Sequence, residues 1–166
     1  MQAVMLQKEK TSANPAKQTT EKIRYFPLAE ALPPGHTLVL NTGLGTLSYL
    51  SITDVGPRLI MEQQFTGNEM SVLLPLLELF PHYCPYEVMF ASFYNGNVTE
   101  LDVAQYRRRL QRALETGVWE REMKPLRNVL SRTRFKLRTF GLDISSILET
   151  GYLLRVTSKP QTIRNP

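Results

Sequence analysis

Hydrophobic and polar positions repeat with two different periods along this chain, and the change of period separates a sheet region from a helical region. Short apolar runs separated by glycine and proline predict a small antiparallel sheet. These runs cover residues 37–40, 48–52 and 58–61. Apolar positions then recur at helical spacing up to about residue 140, and two more β runs flank the turn at 149–151. The pattern predicts an α+β fold with an N-terminal sheet, a helical core and a C-terminal β-hairpin.

The helical region is predicted to contain four helices, each with recognisable end signals. Their expected ranges are 69–80, 85–94, 101–115 and 125–140. Thr66 or Asn68 can cap the first helix, and Thr99 starts the third, which stops at Gly117. Proline is favoured in the first turn of a helix, so Pro125 is expected to begin the fourth.

The fourth predicted helix has two chemically different faces. Its apolar face is expected in the core and consists of Leu126, Val129, Leu130, Thr133, Leu137 and Phe140. The opposite face carries Asn128, Ser131, Arg132, Phe135 and Arg138, flanked by Arg127, Arg134 and Lys136. Since no acidic residue occurs between Pro125 and Phe140, this face suits a polyanion. An ordinary solvated basic helix with an exposed phenylalanine remains the alternative.

The third predicted helix is also amphipathic, but its arginines are spread widely around it. Its apolar stripe consists of Val103, Tyr106, Leu110 and Leu114. The arginines are Arg107, Arg108, Arg109 and Arg112. The stripe must be buried either on the domain's own core or against a second chain. We expect it to serve partner or oligomer contacts, with self-association slightly favoured.

Composition limits the classes of function without selecting one. The 166 residues suffice for one domain with tails, and the net charge of +5 is compatible with nucleic acid binding. A single cysteine, Cys84, excludes an internal disulfide, and the separation of His36 from His82 argues against a zinc enzyme. No apolar run is long enough to span a membrane and no signal peptide is visible, so we expect a cytoplasmic protein.

Both ends of the chain are predicted to lie outside the domain. Residues 1–34 are rich in lysine and polar residues, and they are expected to form a flexible basic tail that is dispensable for folding. The domain is expected over 35–158, with 97–124 as a helical insertion. Residues 159–166 are predicted to form a C-terminal tail.

Four motifs in order resemble those of a known DNA-binding family. Residues 130–137 read LSRTRFKL, similar to a recognition-helix motif I-S-R-L-R-x-K-L, and residues 146–154 read SILETGYLL, similar to a wing motif T-V-R-G-V-G-Y-R-L. Upstream, 65–69 (FTGNE) and 85–96 (PYEVMFASFYNG) match that family's entry to its first helix and its second helix. Over residues 37–157 the chain resembles the winged helix-turn-helix DNA-binding domain of the OmpR/PhoB class of bacterial response regulators.

This resemblance implies a sequence-specific, double-stranded DNA-binding transcriptional regulator. Helix 125–140 would be the recognition helix and would lie in the major groove. Its expected DNA contacts are Arg127, Asn128, Ser131, Arg132, Arg134, Phe135, Lys136 and Arg138. The wing would be built around Thr150, Gly151 and Tyr152. Regulators of this type often bind repeated half-sites as dimers, so a homodimer is expected.

Three departures from the family pattern bear on these expectations. No receiver domain is visible ahead of the module, so control by aspartyl phosphorylation is not implied. The insertion 97–124 replaces a short loop with a whole helix. Leu148 and Leu153 stand where the family has arginine, and Glu149 stands where it has glycine. A carboxylate near the DNA backbone is repelled, which places wing contact with phosphates in doubt.

Two other functions compete with DNA binding. A winged helix can serve as a protein-interaction module, and the same loop of the resembled family contacts RNA polymerase, which makes the polymerase a candidate partner. The weakest hypothesis is an enzyme with Cys84 as nucleophile and His82 as base. No orienting acid or oxyanion site accompanies that pair, so we expect a structural cysteine, no catalytic activity and no cofactor.

Overall fold

A computed structural model describes residues 22–28 and 31–157, and these residues form an α+β domain with two antiparallel sheets and four helices. The predicted C-terminal tail and residues 1–21 of the predicted basic tail lie outside the described residues. In the described part, no helix combines the length and apolar character that crossing a membrane requires.

The elements follow the predicted order except for two strands that the sequence analysis did not predict, one before residue 37 and one between the first two helices. The strands are β1 (Ile23–Phe26), β2 (His36–Asn41), β3 (Thr46–Thr53), β4 (Gly56–Gln64), β5 (Tyr83–Pro85), β6 (Leu142–Ile147) and β7 (Gly151–Val156). The helices are α1 (Gly67–Glu78), α2 (Tyr86–Asn95), α3 (Glu100–Thr116) and α4 (Trp119–Arg138). One sheet has the order β1-β2-β3-β4, and the other has the order β5-β7-β6.

The N-terminal sheet has one strand more than the three that the sequence predicts. Strand β1 pairs antiparallel with β2, with Phe26 opposite Leu38. Phe26 and Leu28 are buried, as is Leu32 just beyond. The predicted boundary of the flexible tail at residue 34 is therefore wrong, because residues 22–28 and 31–34 contribute a strand and three core side chains. The four residues of β1, between Lys22 and Pro27, alternate too little between apolar and polar side chains to be recognised as a strand without β2.

The helix ends follow the predicted chemistry. The Thr66 hydroxyl accepts a hydrogen bond from the backbone N–H of Glu69 at the start of α1, and Thr99 caps α3 through the N–H of Asp102. Gly96 and Gly117 end α2 and α3 with positive φ, the conformation that glycine adopts without steric cost. The insertion therefore contains a complete helix, as predicted.

Helix α4 begins earlier than the sequence predicts. It starts at Trp119 rather than Pro125, so residues 119–124 belong to α4 and not to the insertion. A proline inside a helix removes one backbone hydrogen bond, which normally favours a break there. Here packing outweighs that loss. Trp119 contacts Tyr86 edge to face at 5.6 Å between ring centroids, and Met123 is fully buried.

The predicted core face of α4 is confirmed. All six of its residues are buried: Leu126, Val129, Leu130, Thr133, Leu137 and Phe140. The hydroxyl of Thr133 donates to the carbonyl oxygen of Val129, so this polar group is satisfied inside the core. One face of α4 is thus fixed against the domain, and the opposite face is left outside.

Candidate nucleic-acid interface

The outer face of α4 is an exposed stripe two turns longer than the sequence analysis recognised. The stripe consists of Arg121, Lys124, Asn128, Ser131, Arg132, Phe135 and Arg138, all of them exposed. Arg121 and Lys124 were missed because the helix was expected to begin after them. Phe135, at 74% exposure, is a large apolar side chain among cations.

The stripe keeps its positive charge because few of its cations are paired. Of the ion pairs between described residues, none involves Arg132 or Arg138. The acidic residues of α4, Glu120 and Glu122, lie in its first turn, where a carboxylate also stabilises the helix dipole. The rest of the helix is acid-free and offers a continuous surface to an anion.

Arg127 and Arg134 lie along the edge of α4 that faces the hairpin β6–β7. Arg127 forms an exposed ion pair with Glu120. The Arg134 Nε atom lies 3.3 Å from Oδ1 of Asp143, and Arg155 of β7 approaches the other oxygen of the same carboxylate at 3.7 Å. These two arginines, which are among the predicted DNA contacts, are therefore accessible, but each has a carboxylate partner within the domain.

Lys136 occupies the opposite edge of α4 and is turned into the domain. Its Nζ atom lies 2.8 Å from Oε2 of Glu69, donates to the carbonyl oxygen of Gln64 at 2.9 Å, and lies 5.4 Å from the centre of the Phe65 ring. Glu69 is only 2% exposed, so the ammonium neutralises a buried carboxylate. Lys136 therefore has partners within the domain, and its contact with DNA stays a prediction.

The predicted wing residues divide into one exposed and two buried positions. Thr150 is exposed, but Gly151 and Tyr152 are buried. A side chain at position 151 would overlap the Cys84 carbonyl group and lie 2.9 Å from the Cα of Pro85 on the paired strand. The hairpin tip instead exposes Leu148, at 84%, which the sequence analysis did not list as a contact. Gly151 thus has a structural role, whereas Tyr152 is largely buried and lines the pocket described below.

The apolar stripe of α3 is mostly buried in its own chain. Tyr106 stacks on Tyr94 and donates its hydroxyl hydrogen to Asn95 at 2.9 Å, and Leu110 is 5% exposed. Val103 is half-buried and Leu114 is exposed. The prediction of an oligomer surface centred on Tyr106 and Leu110 is therefore wrong, because both side chains are buried in their own chain, where α3 packs against α2 and α4.

A pocket of about 230 Å³ lies between α4 and the hairpin. Its polar lining consists of Arg127, Ser131, Arg134, Ser146 and Tyr152, and its apolar lining of Leu130 and Ile144. Burial raises the pKa of Tyr152 to about 12, although the neighbouring guanidinium groups act in the opposite direction. At neutral pH the phenol is therefore protonated, and the polar lining is rich in hydrogen-bond donors.

Cys84 lies in an environment that does not activate a nucleophile. It is fully buried, and burial, with a smaller effect of the Glu87 carboxylate, raises the pKa of its thiol to about 12. The thiolate is the reactive form of cysteine, and here it is disfavoured at neutral pH. Among the described residues, no three histidine, cysteine, aspartate or glutamate side chains are grouped as metal ligands would be.

Comparisons of the chain with models of protein families, with curated proteins and with solved structures found no match. The winged-helix family therefore remains a resemblance carried by four sequence motifs. The geometry of α4 and of the hairpin beside it is the basis for the function proposed below.

Proposed function

We propose that this protein is a sequence-specific, double-stranded DNA-binding transcriptional regulator of the winged-helix type. The observation that carries the proposal is the exposed stripe of α4, which is acid-free from Met123 to Arg138 and lies opposite a fully buried core face. Helix α4 enters the major groove of DNA in this proposal, and the hairpin β6–β7 is the wing. The major groove is about 12 Å wide and admits an α-helix.

The residue types of the stripe suit both parts of DNA recognition. Arg132 and Arg138, which have no carboxylate partner among the described residues, contact phosphates or guanine edges. Asn128 can donate to and accept from adenine, and Ser131 can bond to any base. Phe135 supplies an apolar contact for a thymine methyl group, which accounts for an aromatic ring at the centre of a basic surface.

The wing plays a smaller part than α4 in this proposal. Its tip presents Leu148 and Glu149 rather than arginine, and Glu149 has a φ of 60°. A carboxylate at the tip is repelled by phosphates, so the electrostatic attraction comes mainly from α4. The protein then acts in the cytoplasm as a homodimer on paired half-sites, in which each copy contributes one α4.

A second candidate is a protein-interaction module, favoured by the outer face of α3. Arg108 and Arg112 are exposed there, and neither takes part in an ion pair between described residues. Leu101 and Leu114 are exposed on the same helix, at 74% and 53%. An acidic partner surface, such as one on RNA polymerase, would fit the two arginines. DNA binding through α4 and partner binding through α3 use different surfaces and are compatible.

An electrophoretic mobility-shift titration of duplex fragments at two salt concentrations tests the main proposal. Binding should weaken steeply as salt rises, because neutralised phosphates release counterions. Arg132→Ala should cost about 1–3 kcal/mol on a preferred fragment if the guanidinium pairs with a base. Arg108→Ala on α3 is the matched control and should leave the affinity for DNA nearly unchanged. Equal affinity of wild type and Arg132→Ala, or a salt-independent interaction, would favour the protein-interaction module.

A further inference from the structure

The pocket between α4 and the hairpin brings together donors from two separate elements. Arg127, Ser131 and Arg134 come from α4, and Ser146 and Tyr152 come from the hairpin strands. Ser131 belongs both to this pocket and to the exposed stripe of α4, so the two surfaces are adjacent. Convergent polar groups around a small apolar floor are typical of a site that selects a ligand by its charge and shape.

The charges around this pocket leave a surplus of guanidinium groups. Arg127, Arg134 and Arg155 are neutralised by two carboxylates, those of Glu120 and Asp143. The two pairs differ in strength, because the Glu120 side chain is 78% exposed whereas that of Asp143 is 15% exposed. An exposed ion pair is worth little and is easily exchanged. Arg127 is therefore available to a stronger anion, whereas Arg134 is held in place.

We infer that this pocket binds a phosphate group, and that Arg127 exchanges Glu120 for it. A guanidinium group binds phosphate through two parallel hydrogen bonds, which are stronger and more specific than a single contact to an exposed carboxylate. The hydroxyl groups of Ser131, Ser146 and Tyr152 add donors from both walls. When no phosphate is bound, Glu120 pairs with Arg127 and keeps its side chain ordered.

Two sources can supply this phosphate, and the position of the pocket favours one of them. If the proposed function holds, a DNA backbone passes between α4 and the wing, and the pocket receives one phosphodiester of that backbone. A free phosphorylated small molecule would use the same donors. The pocket is then either part of the DNA interface or the site of an effector, and the experiment distinguishes these sources.

The first arm uses a duplex selected from a random pool and remade with one neutral methylphosphonate linkage at each successive position. Wild-type protein should lose about tenfold in affinity at each contacted linkage. Arg127→Gln should lose its sensitivity to the methylphosphonate linkage at one position only. Ser146→Ala should show a smaller loss of affinity at that same position. Arg132→Ala, outside the pocket, should bind more weakly but keep the full pattern of sensitivity.

The second arm titrates inorganic phosphate without DNA and follows the side-chain Nε–H signals of Arg127 and Arg134 by NMR. Saturation in this arm without a methylphosphonate effect would assign the pocket to a free phosphorylated molecule. Glu120→Gln should raise the affinity for whichever source is bound by several-fold, a gain that damage to the fold would not produce. Three results together would overturn the inference. Arg127→Gln would stay sensitive to methylphosphonate at every position where wild type is sensitive, inorganic phosphate would shift neither arginine signal, and Glu120→Gln would gain no affinity. If Arg132-sensitive DNA binding persisted in that case, the proposed function would still stand.

Discussion

At the scale of single residues, Gly151 is determined by the backbone of a neighbouring strand. It pairs with Pro85 where β5 meets β7, and there the Cys84 carbonyl group leaves no room for a Cβ atom. The family motif suggests a wing residue at this position, but the constraint is steric and lies inside the sheet. The obstructing atoms belong to the backbone, so no side-chain rotation can relieve the overlap.

Gly151→Ala should therefore destabilise the domain by about 1–3 kcal/mol through overpacking. Chemical denaturation measures this loss. Gly67→Ala is the matched control, because a Cβ atom at position 67 meets no atom within 4 Å. The control should be neutral or slightly stabilising, since alanine is favoured over glycine in a helix. Equal stability of the two variants would show that β5 and β7 do not approach this closely.

At the scale of elements, strand β1 ties residues before Pro34 to the N-terminal sheet. Phe26 faces the core, whereas its neighbour Tyr25 is 67% exposed on the outer side. Phe26→Ala should cost about 3 kcal/mol, and Tyr25→Ala should change the free energy of unfolding by less than about 0.5 kcal/mol.

Truncation tests the same strand as a unit. A chain that begins at Pro34 should melt at a clearly lower temperature than one that begins at Lys22, because it lacks β1 and the buried side chains of Phe26 and Leu28. Equal melting temperatures of these two chains would contradict the pairing of β1 with β2.

The Lys136–Glu69 pair joins α4 to the first turn of α1. The carboxylate of Glu69 is buried, and Lys136 supplies the cation beside it. Lys136→Met should cost about 3–5 kcal/mol because it leaves a buried charge unpaired, and adding Glu69→Gln should restore much of the loss. The salt dependence of DNA binding should stay the same in the double variant. A reduced salt dependence in the double variant would indicate that Lys136 contacts DNA.

The sequence predicts helices better than strands in this chain, for physical reasons. Helical spacing identified five of the six buried residues of α4, because a periodic apolar face over several turns is a strong local signal. It missed Met123, which precedes the predicted start of the helix. The start of α4 was wrong because Trp119 and Met123 are held by tertiary packing, which outweighs the local effect of Pro125. Strands β1 and β5 were missed because each is stabilised by a partner strand, β2 and β7, that local patterning does not reveal.

At the scale of the whole molecule, the buried side chains and ion pairs of α4 leave one of its faces exposed. The core face anchors the helix, Lys136 fixes one edge to α1, and Arg134 fixes the other edge through Asp143. The exposed stripe remains between these two attachments. The sequence predicted the residues of this stripe from Asn128 onward, but it could not separate cations that face solvent from those paired within the domain. That distinction depends on Glu69 and Asp143, which only the fold brings close.

The proposed function predicts that α4 reads bases, and Asn128 provides a direct test. Selection of duplexes from a random pool, run in parallel with wild type and with Asn128→Ala, gives the preferred base at each position. Wild type should select a defined site. Asn128→Ala should lose the preference at one position, where adenine is expected, and keep the others. Recovery of no preferred sequence by wild type, or of an identical site by both proteins, would contradict base reading by this face of α4.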